Sequence, residues 1–497
     1  MKKFKHIIIG ALAVMGLSAC GDSFLDTELP AYIDADKAAE AAGKRPEVFC
    51  NGIWSWYGTF QGRAHDQGNM GAMIIVADVM GQDMALNKGG WFRFDYELDF
   101  RNKDWRRPAM IWNFNYTNIA KANEILGLYP EGPKTIGQYG LIGNALAVRA
   151  YAYYQLIQFF QCTTNEDGTV NYAAKGVPIM AAETEGTFEE RDALKGRNTV
   201  KDVFDVIERD LTKAVEYFEM TDESGKIYER PNKQYVDGTV ANGLLARFYL
   251  LDQKWDKALA CAKKAQEGYT IMPEWDGFMD ISNGEWMWGL EITGENTINF
   301  ISFSSHMSNF GAGYAGLDAP SKLIDASLYS AIADNDNRKK FFNGPEGWAG
   351  GPTEGVKRAY ANKKYMSDGN FTEDVLYMRA SEMVLIEAEC LARLGNAAEA
   401  GAALYKLTSK RIADAKNEPA LLEQILMQRR IELWGEGFEF YDHKRMNTGI
   451  NRDYEGTNHP EGYRLTIDSR DKRWYLQIPN SEMQENAHLD EIEDQNP

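Results

Sequence analysis

The chain has 497 residues with 12 Trp, 25 Tyr and 23 Phe, 44% hydrophobic side chains and a formal charge of −19. That composition supplies a packed core and excludes a disordered chain. The surplus of carboxylates excludes a nucleic-acid binder, and a purely electrostatic hold on anionic lipid, since both need a basic surface. At roughly 150 residues per domain, the length suits about three domains or one large fold. No segment beyond the N-terminus offers ~20 uninterrupted apolar residues, which excludes a polytopic membrane protein. The best candidate, Met70 to Met80, is broken by Asp78.

Residues 1–20 read as an export signal. Lys2, Lys3 and Lys5 precede an uncharged apolar stretch from Ile7 to Ala19, too short to span a bilayer. It ends in Leu17-Ser18-Ala19-Cys20, which resembles a lipobox, with Cys20 as the lipidated residue. Acyl chains would then anchor the protein at about 0.8 kcal/mol per buried CH₂. Removing residues 1–19 takes away three lysines and no carboxylate, moving the charge from −19 to −22. Four cysteines remain, and their spacing does not choose among the three possible pairings. Cys261 and Cys390 lie in Ala-rich helical patterns and suit buried small hydrophobes, whereas a Cys50–Cys162 bridge stays open.

Residues 20–45 form a polar tether, and strong helical signals begin near residue 110. Residues 141–160 are apolar nearly all round, as in a helix enclosed by neighbours. From the Thr199 cap, Val203, Ile207, Leu211, Ala214 and Phe218 recur at helical spacing. Residues 240–267 and 379–407 each read as helix, short turn, helix, with small residues where the helices cross. They resemble tetratricopeptide hairpins, a scaffold and not a chemistry. Between about 271 and 370 the character changes to Gly- and Ser-rich loops, with one strand expected at 285–291, where Trp286, Trp288 and Leu290 share a face. Residues 46–270 and 371–497 are the helical regions on either side of this loop-rich cap.

Familiar catalytic motifs do not emerge. Gly311-Ala-Gly313-Tyr314-Ala-Gly316 has dinucleotide-loop spacing but lacks the flanking strand and helix, and it reads as a flexible loop. G-x-S-x-G, Walker A and H-E-x-x-H are absent, no two histidines have metal-pair spacing, and neither cofactor nor metal is expected. Asp334-Asn-Asp336-Asn337 lacks the Gly and distal Glu of a calcium loop and suits a capping turn. Tryptophan offers a flat apolar face with one polar edge, suited to sugar rings as well as to cores. Core or inter-helix packing is the default for each of Trp54, Trp56, Trp91, Trp105, Trp275 and Trp348, and still more for Trp286 and Trp288, which share one face of a strand. Trp348, inside GPEGWAGGPTEG, is the best candidate for an exposed platform, followed by Trp91, Trp105, Tyr314 and Trp275.

A series of motifs, taken in chain order, is similar to the marks of one known family. After Cys20, Ser23-Phe24-Leu25-Asp26 with Pro30 is similar to the family opening, and Asp78-Val79-Met80-Gly81-Gln82-Asp83 to its D-x-x-G-x-D segment. Trp112, Tyr116, Ile119, Ala122, Asn123 and Ile125 match a helix, and Arg197-Asn198-Thr199-Val200 opens the next repeat. Pro320-Ser321, Asp336 with Arg338, Arg379 with Glu382, Arg429-Arg430-Ile431-Glu432, Glu436-Gly437, Asp442 with Arg445, and Gln495-Asn496-Pro497 continue the series. In this order the motifs resemble those of the SusD/RagB family of outer-membrane lipoproteins, from which Gln82 and Trp434 are small departures. Most of these marks read as scaffold: Arg429 and Arg430 with Glu432, and Asp442 with Arg445, are expected as helix-face ion pairs.

The resemblance implies a mostly α-helical fold of tetratricopeptide-like hairpins with a loop-rich region containing short strands. It implies a surface lipoprotein, not an enzyme, that captures glycans and hands them to a SusC-like TonB-dependent transporter. Peptide capture is the alternative, and a surface glycan hydrolase or a purely structural lid are further rivals.

Overall fold

The computed structural model describes residue 42, residues 45–60 and residues 62–497. The expected export signal, Cys20 and the Ser23–Pro30 motif lie outside them. The fold is mostly helical, about 47%. Helices α1 (Pro46–Gly58), α2 (Met70–Val79), α3 (Arg106–Gly127), α4 (Ile136–Phe160), α5 (Val200–Glu219), α6 (Gly238–Leu251) and α7 (Trp255–Ala265) build the first half. Helices α8 (Ala380–Arg393), α9 (Ala397–Arg411), α10 (Leu422–Glu432) and α11 (Glu439–Arg445) build the second.

From α3 to α9 each helix packs on the next in the chain, as in a helical-repeat stack. The stack follows from the patterning. Helix α4 is buried continuously from Ile142 to Tyr153 and is pinned at its start by a capping box between Thr135 and Gln138. Helix α5 begins with a second box, Thr199 and Asp202, and buries the five apolar residues expected of it. Ala258, Ala262 and Ala265 let α7 approach its neighbours closely, and Gln253 (φ 57°) and Gly395 (φ 83°) turn the two later hairpins.

Two antiparallel strand pairs tie the loop region down, and a third lies within the C-terminal region. β1 (Met84–Leu86) pairs with β3 (Lys322–Ile324), β2 (Trp286–Leu290) with β4 (Val375–Arg379), and β5 (Ile450–Asn451) with β6 (Thr466–Ile467). The expected strand is present but is buried on both faces. Irregular register on either side of Trp288 accompanies two different settings: Trp286 packs on Phe278, and Trp288 on Trp54, Tyr57, Tyr151 and Tyr377.

The motif residues hold these parts together, with partners different from those expected. Glu432 pairs with neither Arg429 nor Arg430. Its buried carboxylate takes Arg338 (3.0 Å), Arg379 (2.7 Å) and Arg411 (2.8 Å). Arg379 also binds Glu285 and Glu436 (2.7 Å each), Lys364 binds Glu436 (2.5 Å), and Arg338 binds Asp336 (2.6 Å). This network joins the cap to the C-terminal helices. Arg429 instead pairs with Asp442 (2.6 Å), which also takes Arg445 (2.7 Å) as expected, and Arg430 with Asp83 (2.5 Å). Asp336 caps the short helix Asn337–Phe341, in keeping with its reading as a capping residue. Asn496 donates to the carbonyls of Phe160 and Leu476 (2.6 Å each), clipping the terminal motif to the end of α4.

The four described cysteines form no disulfide with one another, so the Cys50–Cys162 bridge does not form. Cys50 lies in α1 and Cys162 just beyond α4, where its sulfur lies against Thr164. Among the described residues, no helix is long and apolar enough to cross a membrane.

Candidate functional site

The β1–β3 pairing, with Leu86 opposite Lys322, lays the segment after β1 beside the segment before β3. Asn87 fixes the alignment: its Oδ1 accepts from the Ser321 backbone N–H (2.9 Å) and its Nδ2 donates to Asp318 (2.6 Å). Two of the candidate aromatics, Trp91 and Tyr314, therefore meet with ring centroids 5.9 Å apart. His65 stacks on Trp91 at 5.0 Å and 20°, and its Nδ1 is hydrogen-bonded to the Tyr314 hydroxyl. Beneath them lies buried His306, stacked on Tyr314 at 4.8 Å, its Nε2 bonded to the His65 carbonyl oxygen (3.0 Å). Burial holds the His306 imidazole well below the usual histidine range, so it is neutral, and its Nε2–H is the donor to that carbonyl. Phe300 closes the group edge-on to Tyr314 at 4.6 Å. Trp91, His65, Tyr314 and Phe300 are each partly open to solvent.

Backbone strain collects at the same place. Phe92, Asn299, Asp318 and Phe371 all have left-handed φ (51–66°), beside Trp91, beside Phe300, four residues beyond Tyr314, and against Phe300 respectively. Such conformations cost about 1–3 kcal/mol each and concentrate where side chains are held for function. The G-x-G-x-x-G segment is not a flexible loop. A Cβ on Gly316 would lie 1.6 Å from the Gly311 oxygen, and one on Gly313 would lie 2.5 Å from Ser305 Cα, so these glycines allow a closely packed turn that aims Tyr314.

Trp348 stands on the neighbouring loop with 40% of its surface exposed. It stacks beside Phe310 (6.5 Å, 24°), and the Lys363 ammonium lies 5.7 Å from its ring centroid. Its loop docks on the glycine turn, with Gly355 N–H donating to the Gly316 oxygen (2.9 Å) and the Thr353 hydroxyl to the Asn309 oxygen (2.5 Å). Asp318 links this loop to the Trp91 group, accepting from Lys88 (2.9 Å), Arg358 (2.5 Å) and Ser321 (2.7 Å). Burial pushes its carboxyl up, but bonds from Arg358, Ser321 and Lys88 outweigh that and bring it down to about 2.

Two candidates fall elsewhere. Trp105 is 41% exposed but sits apart, against Phe94 and Phe100. Trp275 is not on the surface at all. It is 1% exposed, donates to Glu432 (3.3 Å) and lies 4.2 Å under the Lys364 ammonium, where it seals the charge network from water. Sequence reasoning missed His65, His306, Phe300 and Phe310. None stands in a periodic pattern, and only the β1–β3 pairing gathers them.

A separate small cavity of about 50 Å³, partly open to solvent, is lined by residues that include Asp78, Asp83, Glu439 and His443. Burial pushes the Asp78 and Glu439 carboxyls well above the usual carboxylate range. Both acids serve as backbone caps: Asp78 accepts from the N–H groups of Gly437 (2.8 Å) and Phe438 (3.1 Å), and Glu439 from those of Gln82 and Asp83 (2.7 Å). These reciprocal caps account for two of the sequence motifs as supports between α2 and α11.

Two family models match the chain: one described as starch-binding associating with outer membrane, over residues 59–250, and the SusD family, over residues 333–497. The chain belongs to the SusD family. Its fold is similar to that of a SusD-like carbohydrate binding protein from Bacteroides vulgatus, with TM-score 0.73 and 24% identity over 90% of this chain and 97% of that one. It is similar to surface glycan-binding protein A from Bacteroides uniformis (TM-score 0.65, 17% identity, 91% and 99% covered). A laminarin binding SusD-like protein also matches (TM-score 0.62, 17% identity, 91% and 99% covered). No curated protein matches the chain.

Proposed function

We propose that the chain is a cell-surface lipoprotein, anchored through Cys20, that binds glycans without cleaving them and delivers them to a SusC-like TonB-dependent outer-membrane transporter. The observation that carries this reading is the preorganised group of Trp91, His65, Tyr314 and Phe300, with Trp348 on the adjoining loop. Half-open aromatic faces suit the apolar faces of sugar rings, while ring-edge nitrogens and hydroxyls serve their polar rims. Asp318, held ionised by its cationic partners, suits ion pairing and not proton donation to a leaving group. The family match and the names of the similar structures, which describe carbohydrate, glycan and laminarin binding, support the same ligand class. An aromatic site favours glycans over the peptide alternative.

The test is calorimetric titration of residues 21–497 with a panel of polysaccharides and peptides, with product analysis of the same samples. Saturable binding of a glycan with no new reducing ends is expected. Binding confined to peptides, or release of cleaved sugar, overturns the reading.

A further inference from the structure

The aromatic groups do not stand on a neutral surface. Asp318 is strained (φ 61°) and its side chain only 7% exposed, yet the two cations it anchors, Lys88 and Arg358, are 50% and 51% exposed. Four residues donate to this carboxylate, because Asn87 and Ser321 share it with the cations. The negative charge is thus covered and the positive charge presented. Lys88 is three residues from Trp91, and Arg358 follows Lys357, whose carbonyl accepts from the Trp348 backbone N–H (3.1 Å). Asp318 thus holds together one cation from the Trp91 segment and one from the loop that carries Trp348.

Lys363 adds a third positive charge. Its ammonium rests over the Trp348 ring, and among the described residues no carboxylate pairs with it. A neutral sugar must compete with that ammonium for the indole, whereas an acidic sugar pairs with it. The opposing charges nearby are Glu346, exposed on the Trp348 loop, and Glu354, already paired with Lys357 (2.6 Å). The chain's net charge of −19 repels a polyanion as a whole, so cations at the aromatic groups bear on selection.

We infer that Lys88, Arg358 and Lys363 make this an acidic-glycan site, in which a uronate carboxylate or a sulfate ester pairs with the cations while the sugar ring lies on Trp348 or Trp91. The inference rests on the glycan reading above and narrows its substrate class.

The test uses residues 21–497 with three probes: dextran as the neutral polymer, dextran sulfate and polygalacturonate. At low salt at least one acidic polymer binds about tenfold more tightly than dextran, and raising the salt from about 50 mM to about 500 mM removes most of the difference. Which of the two acidic polymers binds separates sulfate from carboxylate recognition. Lys363→Gln and Lys88→Gln, neither of which removes the Arg358–Asp318 pair, each weaken acidic-polymer binding several-fold at unchanged thermal midpoint. Equal affinity for dextran, salt-independent binding, or acidic-polymer binding untouched in the Lys88→Gln/Lys363→Gln double variant overturns the acidic-glycan inference and leaves glycan binding standing. Failure of these polymers and of the wider polysaccharide panel overturns both.

Discussion

Replacing Glu432 by Gln tests the reading of the motifs as scaffold. The carboxylate is fully buried and receives three guanidinium groups, at 3.0 Å from Arg338, 2.7 Å from Arg379 and 2.8 Å from Arg411. The surrounding charges balance, with Arg338, Arg379, Arg411 and Lys364 against Asp336, Glu285, Glu432 and Glu436. An amide of the same shape leaves one buried positive charge uncompensated and turns an N–H group toward a guanidinium. Breaking a buried pair by removing one partner costs about 3–5 kcal/mol. The Gln carbonyl retains one acceptor, which places the expected loss near the lower end. Against a total of about 5–15 kcal/mol for a folded protein, that loss is large. Urea unfolding should show a lower midpoint at unchanged slope.

The pH dependence has a defined sign. Burial raises the Glu432 carboxyl, but Arg411 and Arg379 outweigh it and hold it well below the usual range. A group depressed in the folded state contributes stability above its unfolded pKa of ~4.3 and loses it as pH falls through the folded value. The gap between Glu432→Gln and the parent protein is therefore wide at neutral pH and narrows in acid. A loss under about 1 kcal/mol at neutral pH, or a gap constant with pH, refutes the network as a principal support.

Three further outcomes follow from the site geometry. Trp91→Ala removes the stack on His65 and should weaken glycan affinity about fivefold or more, at the ~1 kcal/mol worth of one aromatic contact, with the thermal midpoint only slightly lowered; unchanged affinity by calorimetry would move the platform elsewhere. Trp275→Ala should do the reverse, costing about 3–5 kcal/mol in urea unfolding while the folded fraction binds normally, because that indole is core. Gly316→Ala must displace the turn that carries Tyr314, since its Cβ would lie 1.6 Å from the Gly311 oxygen; titration should show reduced affinity, and parent-like binding would show that the turn does not set the ring position.

The sequence by itself determined the helical stack and the Thr199 cap within it. Periodicity at Val203, Ile207, Leu211, Ala214 and Phe218, the Thr199 cap and the alanines of α7 act over one or two helical turns, and the local pattern survives into the fold. The motif order was enough to indicate the family, because its members share a scaffold and the motifs describe that scaffold. Tertiary structure decided the partners and the site. Glu432 meets Arg338 and Arg379 across 94 and 53 positions of chain, not the arginines beside it in α10. His65 and Tyr314 are 249 positions apart. No local spacing encodes such meetings; they depend on which strands pair and which loops the pairing lays together. Trp275 and Trp348 show the same division, since both lie near Gly or Pro in sequence and only the packing around each puts one under a lysine in the core and the other in solvent.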